Sequence, residues 1–285
     1  MNALALVLLK PAELLYRALN RARRALYRAG VLRQQRLPKP VISIGNIAVG
    51  GSGKTPATIA IGRFLLDRGL RVCVLTRGYG RSGEGGAVTS LDAARFGDEP
   101  VLIKKYLGTA DVIVGRKRYE NGRSIKCDVY LLDDGFQHLQ LARDIDVVIV
   151  NPASSLLREG PSALRHADFV VPRNLRAVVP DGVKGRRVFA FAGLADNEQF
   201  FATLRRNDVD LAGTHSFPDH YSYTAGDIDA IKAAAKAAGA TAIVTSEKDA
   251  VKIDDDAIIA VRAEFLLAPN VFDEILARIQ QPSRK

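Results

Sequence analysis

The stretch Gly45-Asn46-Ile47-Ala48-Val49-Gly50-Gly51-Ser52-Gly53-Lys54-Thr55-Pro56 decides how the rest of the chain is read. Before it, Val41-Ile42-Ser43-Ile44 is a short β-branched apolar run that predicts a buried strand. After it, Thr58 to Leu66 predicts a helix with one apolar face. Strand, glycine-rich turn and helix start are the setting of a phosphate-binding P-loop. Glycine lets the backbone wrap close to phosphates, and the first N–H groups of the helix point at the anion. In that setting Ala48, Val49, Gly50, Gly51, Ser52, Gly53, Lys54 and Thr55 cradle the nucleotide. Lys54 reaches the β- and γ-phosphates and the Thr55 hydroxyl ligates Mg²⁺. Pro56 costs little, because a first-turn N–H has no partner inside the helix. Ala48 stands where the strict pattern has its first glycine, a replacement that the looser form of the motif accepts.

Working outward, the 285 residues suit one large or two medium domains of ordinary globular composition, 47% hydrophobic and 25% charged. Cys73 and Cys127 lack metal-ligand spacing and sit in apolar settings, which argues against a disulfide framework. The four histidines include no H-x-x-x-H pair. A net charge of +10 implies an anionic partner: a membrane surface, a phosphorylated substrate or nucleic acid.

Half of that charge lies in residues 1–30, where Lys10, Arg17, Arg21, Arg23, Arg24 and Arg28 face one acid, Glu13. Leu4, Leu8, Leu15, Leu19, Ala22 and Leu26 recur near helical spacing, so a basic amphipathic helix is expected, with Pro11 a place for a bend. The segment lacks the order of a secretory signal, and its apolar run from Ala3 to Leu9 is too short to span a bilayer. Such a helix lies on an anionic membrane surface with its leucines in lipid, or it packs its leucines on the protein and solvates its arginines. The first arrangement is the one expected. Nucleic acid is not, because the positive charge gathers on an amphipathic helix.

Beyond the P-loop, Arg71 to Thr76 predicts a second strand, followed by Arg77-Gly78-Tyr79-Gly80-Arg81. Two arginines around a flexible turn at the carboxyl end of a strand suit a phosphate or a sugar, or are solvated loop charges. Asp98 and Glu99 open a helix that continues through Leu107, where acids complement the helix dipole. Arg116, Lys117 and Arg118 follow the strand Asp111 to Val114 at a predicted helix start, an unfavourable place for cations unless an anion binds there. Asp128 to Asp133, an apolar strand ending in Asp133-Asp134, reads as a Walker B element that places a carboxylate for Mg²⁺. Strands alternating with helices imply a mostly parallel sheet. The Pro-, Gly- and Arg-rich run from Pro172 to Arg187 marks a domain boundary. The expected organisation is a helix over 1–30, a P-loop core over 31–180 and a smaller α/β domain over 181–285. Two charged stretches in the last part, Phe217 to Tyr223 and Thr245 to Lys252, carry titratable groups to which spacing alone assigns no role.

Taken together, several stretches resemble the tetraacyldisaccharide 4′-kinases of lipid A biosynthesis. They are Gly45-Asn46 with Val49 to Pro56, Thr76 to Arg81, Gly97-Asp98-Glu99-Pro100, Asp133-Asp134-Gly135-Phe136-Gln137-His138, Phe217 with Asp219-His220-Tyr221, and Thr245 with Glu247 to Lys252. The resemblance implies transfer of the γ-phosphate of ATP to the 4′-hydroxyl of an acylated glucosamine disaccharide 1-phosphate. It implies that Lys54 and Thr55 serve ATP and Mg²⁺, with Asp133 or Asp134 as the metal carboxylate. It pairs Asp98 with His220 at the acceptor hydroxyl as the two domains close, and turns Arg77, Tyr79, Arg118, Gln137 and His138 toward the substrate. It also implies a peripheral protein on the cytoplasmic face of the bacterial inner membrane. Two alternatives from other classes each fail on one feature. A membrane-associated regulatory ATPase with a deviant Walker motif needs a lysine where Val49 stands, and a GTPase needs a spacer between Lys248 and Asp249.

Overall fold

Every residue of the strand leading into the P-loop is buried, which an interior strand of a parallel sheet covered on both faces requires. The structure, a computed structural model, describes residues 3–48, 51, 53–152 and 157–281. In chain order the first elements are α1 (Ala3–Arg28), β1 (Val41–Asn46), α2 (Lys54–Leu66), β2 (Val72–Thr76), β3 (Gly86–Ala87), α3 (Ala93–Phe96), α4 (Asp98–Tyr106), β4 (Asp111–Val114) and α5 (Arg118–Gly122). Then come β5 (Val129–Asp133), β6 (Ile145–Val150), β7 (Phe169–Pro172), β8 (Leu175–Val178), β9 (Arg187–Ala192), α6 (Asn197–Arg206) and β10 (Asp210–Ser216). The chain ends with α7 (Ala225–Ala237), β11 (Ala242–Ser246), α8 (Glu247–Ala250), β12 (Ile258–Phe265) and α9 (Pro269–Gln280).

The chain forms two compact units. The core unit takes Met1–Arg77, Thr109–Asn174 and Leu267–Lys285; the second unit takes Gly78–Gly108 and Leu175–Leu266. Strands of the core unit run in the order β4-β2-β5-β1-β6-β7, all neighbours parallel. Beside β1, β5 is registered so that Ile44 aligns with Asp133, which sets the strand-end aspartate next to the start of the P-loop. The second unit has a sheet of order β10-β9-β11-β12-β8, parallel except for β8 against β12. Its core is built around Val188, Ala190, Phe201, Leu204 and Val244. No helix among the described residues is long and apolar enough to cross a membrane.

This partition differs from the linear division at residue 180, where the second unit already begins at Leu175. Residues 78–108 belong to the second unit, where α4 packs on α8. Helix α9 returns to the core unit: Phe272 stacks on Phe64 of α2 at 4.6 Å, and Arg278 donates to Asp168 at 2.7 Å. Such long-range returns leave no compositional trace at the points where the chain crosses. The run from Pro172 to Arg187 also holds β8, an edge strand.

Helix α1 takes neither of the two arrangements considered for it in full. Glu13, Asn20 and Arg24 are buried, while Leu14, Leu15, Leu19 and Leu26 are exposed, from 44% for Leu26 to 63% for Leu15. Its polar stripe docks on the core unit. Arg24 donates two-pronged to Glu159 at 2.8 and 3.1 Å, lies 4.5 Å over the Phe136 ring and donates to the Phe136 carbonyl. Asn20 donates to the Arg158 carbonyl at 3.1 Å. The leucines are left facing outward.

Candidate active site

In the core unit, α2 starts directly after Gly53, whose φ of 83° lies in the left-handed region; glycine adopts that backbone without strain. Val49, Gly50 and Ser52 lie outside the described residues, whereas Ala48 is buried and bridged to Leu157. Gly51 is exposed. A side chain on Gly45 would place its Cβ 2.5 Å from Phe136 Cβ, so glycine alone permits β1 to pass the Asp-Asp-Gly-Phe turn this closely.

Asp133 closes β5 fully buried, and it accepts hydrogen bonds from the hydroxyls of Thr58 at 3.0 Å and Thr76 at 3.1 Å. Burial pushes its carboxyl up, and the adjacent Asp134 charge adds to the rise. Asp134 has the left-handed φ of 50° and is met by Lys54 at 3.5 Å and Arg158 at 3.0 Å. Burial opposes its charge, but the two cations outweigh burial and hold the carboxyl below its ordinary value. Thr55 is buried at the start of α2. Threonine hydroxyl and aspartate oxygens are hard donors of the kind Mg²⁺ takes, and a cation would relieve the cost of ionising Asp133. Among the described residues no group of three or more His, Cys, Asp or Glu is arranged to hold a metal ion by itself. The donor set therefore fits a metal that keeps waters and phosphate oxygens and draws only one or two ligands from the protein.

The same unit holds four of the residues expected to face substrate. Arg77 is exposed just after β2, and Arg118 is buried at the start of α5. Gln137 donates to the Asn46 carbonyl at 2.8 Å and to Glu159 at 3.1 Å, tying the turn after β5 to the end of β1. His138 is driven down to about 4 by burial first, then by the charges of Arg118, Arg143 and Arg23. It stays neutral among cations, a hydrogen-bonding group on a positively charged surface.

The second unit carries the other set. Asp98 is the first residue of α4 and only 5% exposed. Its Oδ1 accepts the Glu99 N–H at 2.9 Å, the helix-start role read from the sequence, and its Oδ2 lies 2.9 Å from His220 Nδ1. One carboxylate thus meets both the helix start and the His220 ring. His220 has a φ of 59°, and its N–H donates to the Gly193 carbonyl at 3.3 Å. Tyr79, 63% exposed, lies with its ring centre 5.0 Å from the His220 ring. A Cβ on Gly97 would come within 2.8 Å of the Tyr79 carbonyl, so this glycine, with φ 93°, lets the Tyr79 loop lie against the start of α4. Burial opposes the Asp98 charge, but the His220 hydrogen bond and the Lys248 charge outweigh it and lower the carboxyl. The Asp98 hydrogen bond in turn raises His220, against burial and Lys248.

Asp98 and His220 therefore meet inside one unit, without the domain closure expected from their separation in sequence. Sequence reasoning missed Arg158 and Glu159 as partners of the Asp134 turn and of α1. It quoted Lys248 without a role, though Lys248 stands 3.2 Å from His220 Nε2. The only available signal was an adjacent Arg-Glu pair after β6 and a dense charge cluster at the end of β11.

Comparison with known proteins places these sets in context. The family model for tetraacyldisaccharide-1-P 4′-kinase, LpxK, matches residues 5–181 and 171–281. A tetraacyldisaccharide 4′-kinase of Pelobacter propionicus is 38% identical over 87% of this chain and 83% of its own length. One from Anaeromyxobacter dehalogenans is 38% identical over 97% of this chain and 91% of its own. The crystal structure of LpxK from Aquifex aeolicus in complex with ATP superposes with a TM-score of 0.78 at 29% identity, covering 97% of this chain and 100% of that one.

Proposed function

We propose that this chain, which belongs to the tetraacyldisaccharide-1-P 4′-kinase family, transfers the γ-phosphoryl group of ATP to the 4′-hydroxyl of an acylated glucosamine disaccharide 1-phosphate. The hydroxyl oxygen bonds to phosphorus, the bond from phosphorus to the ADP oxygen breaks, and the hydroxyl proton passes to the Asp98–His220 pair. Lys54 balances charge on the β- and γ-phosphates. Thr55, with Asp133 or Asp134, would hold Mg²⁺, which supplies charge neutralisation on the phosphates. Arg77, Tyr79, Arg118, Gln137 and His138 are assigned to the sugar and phosphate groups of the lipid. They offer three kinds of contact suited to it: fixed cations, neutral hydrogen-bonding groups and one exposed aromatic ring.

The observation that carries this reading is the 2.9 Å contact between Asp98 and His220. A regulatory ATPase or GTPase activates water and needs no base built for an alcohol, whereas a sugar hydroxyl must lose its proton as it attacks. The exposed leucines of α1, flanked by arginines, support peripheral attachment to an anionic membrane, at the cytoplasmic face of the inner membrane. The deciding experiment is phosphate transfer from labelled ATP to the lipid disaccharide phosphate in mixed micelles, beside soluble sugars. Transfer to the lipid alone is expected; transfer to soluble sugars alone overturns the assignment. Sedimentation with vesicles containing anionic lipid tests α1. Leu15→Ser with Leu19→Ser should reduce binding, and undiminished binding would place the anchor elsewhere.

A further inference from the structure

Resting on that reading, we propose that Lys248 is a positioning residue for the proton-accepting pair. Its ammonium donates a hydrogen bond to His220 Nε2 and so fixes the imidazole as the neutral form protonated at Nδ1, with Nδ1–H donating to Asp98 and the carboxylate left as the group of the pair that takes the hydroxyl proton.

The geometry leaves one consistent proton arrangement. Lys248 Nζ lies 3.2 Å from His220 Nε2, 3.2 Å from Asp219 Oδ1, 3.8 Å from Asp98 Oδ2 and 4.0 Å from Glu99 Oε1. An ammonium has three donors and no acceptor, so the ring nitrogen it approaches must offer a lone pair. Which imidazole nitrogen carries the proton is set by what the other one meets. With Nε2 accepting from Lys248, the proton sits on Nδ1, the nitrogen 2.9 Å from Asp98. The surrounding acids keep Lys248 charged: burial opposes the ammonium, but Asp98, Glu99 and Asp219 outweigh it and raise its pKa.

The backbone is held by the next residue in the chain. Asp249, fully buried, accepts the Gly193 N–H at 2.9 Å, the Ser246 hydroxyl at 2.7 Å and the Lys252 ammonium at 2.7 Å. Gly193 in turn accepts the His220 N–H. Lys248 thus orients the ring from a turn whose neighbouring residue anchors the His220 backbone in its left-handed conformation. The charged groups facing the imidazole are Asp98 from α4, Asp219 from its own loop and Lys248 from α8; Glu99 stands behind Lys248, Lys252 acts on Asp98, and the Tyr79 ring lies beside the imidazole. Among these the acids favour imidazolium and Lys248 disfavours it. Lys248 therefore preserves the neutral ring as pH falls.

Long-range ¹H–¹⁵N spectra of the full chain test this directly, with the His220 resonances identified by their absence in His220→Gln. Above its protonation midpoint, wild-type His220 should show the proton on Nδ1; a proton on Nε2 overturns the proposal without any variant. In Lys248→Met the midpoint should rise by about one pH unit or more, the scale of a nearby like charge. The acid limb of kcat should move the same way, with KM for ATP unchanged. Lys248→Arg should stay near wild type. An unmoved midpoint in a folded Lys248→Met protein also overturns the proposal. The spectra need no turnover, so a chain that failed to phosphorylate the lipid would sink the kinase reading while the tautomer still decided this one.

Discussion

In the core unit, Asp133 and Asp134 end a central strand and are answered by Thr58, Thr76, Lys54 and Arg158; in the second unit, Asp98 opens a helix and is answered by His220, 122 residues away, and by Lys248. The first pair is surrounded by hydroxyls and permanent cations, the second by a titratable ring. Groups of the first kind bind and balance phosphate charge without changing protonation, and groups of the second kind move a proton near neutral pH. Under the function proposed above, the contrast divides the chemistry of phosphoryl transfer between donor handling and acceptor activation.

The sharpest way to break that division is Lys54→Ala. A cation on the departing phosphoryl group is worth about 10³–10⁵-fold in analogous transfers. Turnover should fall by that amount while circular dichroism stays unchanged, because Lys54 sits on the first turn of α2 and is no part of the apolar core. Near-normal turnover would remove the P-loop from the mechanism.

The acceptor side should respond differently. Asp98→Ala and His220→Ala should each lower kcat by about 10²–10⁴-fold, the usual contribution of a positioned base. The double variant should lose no more than the worse single one, because the residues act as a unit. Affinity for ATP, measured by equilibrium binding, should hold in all three. Losses that multiply independently would separate His220 from Asp98 and return it to a structural role.

A third, smaller effect compares the buried ion pairs. Arg24 and Glu159 have side chains only 8% and 5% exposed. Removing one partner strands the other charge, at a cost of about 3–5 kcal/mol. Arg24→Ala should therefore destabilise the core unit by that order in urea unfolding, and adding Glu159→Gln should recover part of the loss. If Arg24→Ala unfolds at the wild-type midpoint, α1 is not held by this pair.

What could be read beforehand follows the same contrast. The core unit was legible because its signals are local: a β-branched strand, a glycine turn and a helix within 26 residues, from Val41 to Leu66, then a strand closing on Asp133-Asp134. The second unit is assembled from distant segments. Gly78–Gly108 joins β8 to β12 by tertiary contact alone, and neither composition nor periodicity records that. The pairing of Asp98 with His220 was available only through family resemblance, and spacing gave Asp98 just its helix-start role. β10 carries no strand signal because Asp210 to Ser216, an edge strand, has little burial to impose an apolar alternation. In α1 the period was legible but the facing was not. Three polar residues, Glu13, Asn20 and Arg24, dock while the leucines look outward, an inversion that hydrophobic periodicity alone cannot reveal.

The smallest expected effect sets two histidines against each other. His138 in the core unit is held down to about 4, from an ordinary 6.5, by burial and by Arg118, Arg143 and Arg23. Between those two pH values the unfolded chain takes up a proton that the folded chain refuses, so folding loses stability as pH falls through that window. His220 has the opposite sign. Its pKa is raised, mainly by the hydrogen bond to Asp98, so its stabilisation is full below 6.5 and is lost as pH rises through the folded value. Asp98, lowered from 3.8, adds stability above that value and loses it as pH falls through its folded pKa. Urea unfolding at about pH 7.5 and pH 5, followed by hydrogen exchange in each unit, separates the two. His138→Gln should remove an acid-side loss of about 1–2 kcal/mol from the core unit, once solvent screening is allowed for. His220→Gln should cost the second unit stability at the lower pH and less at the higher. The opposed slopes are the signature of one histidine kept neutral among arginines and another poised against a carboxylate. If both variants shift stability in the same direction with pH, the two rings share one electrostatic role and the division of labour between the units fails.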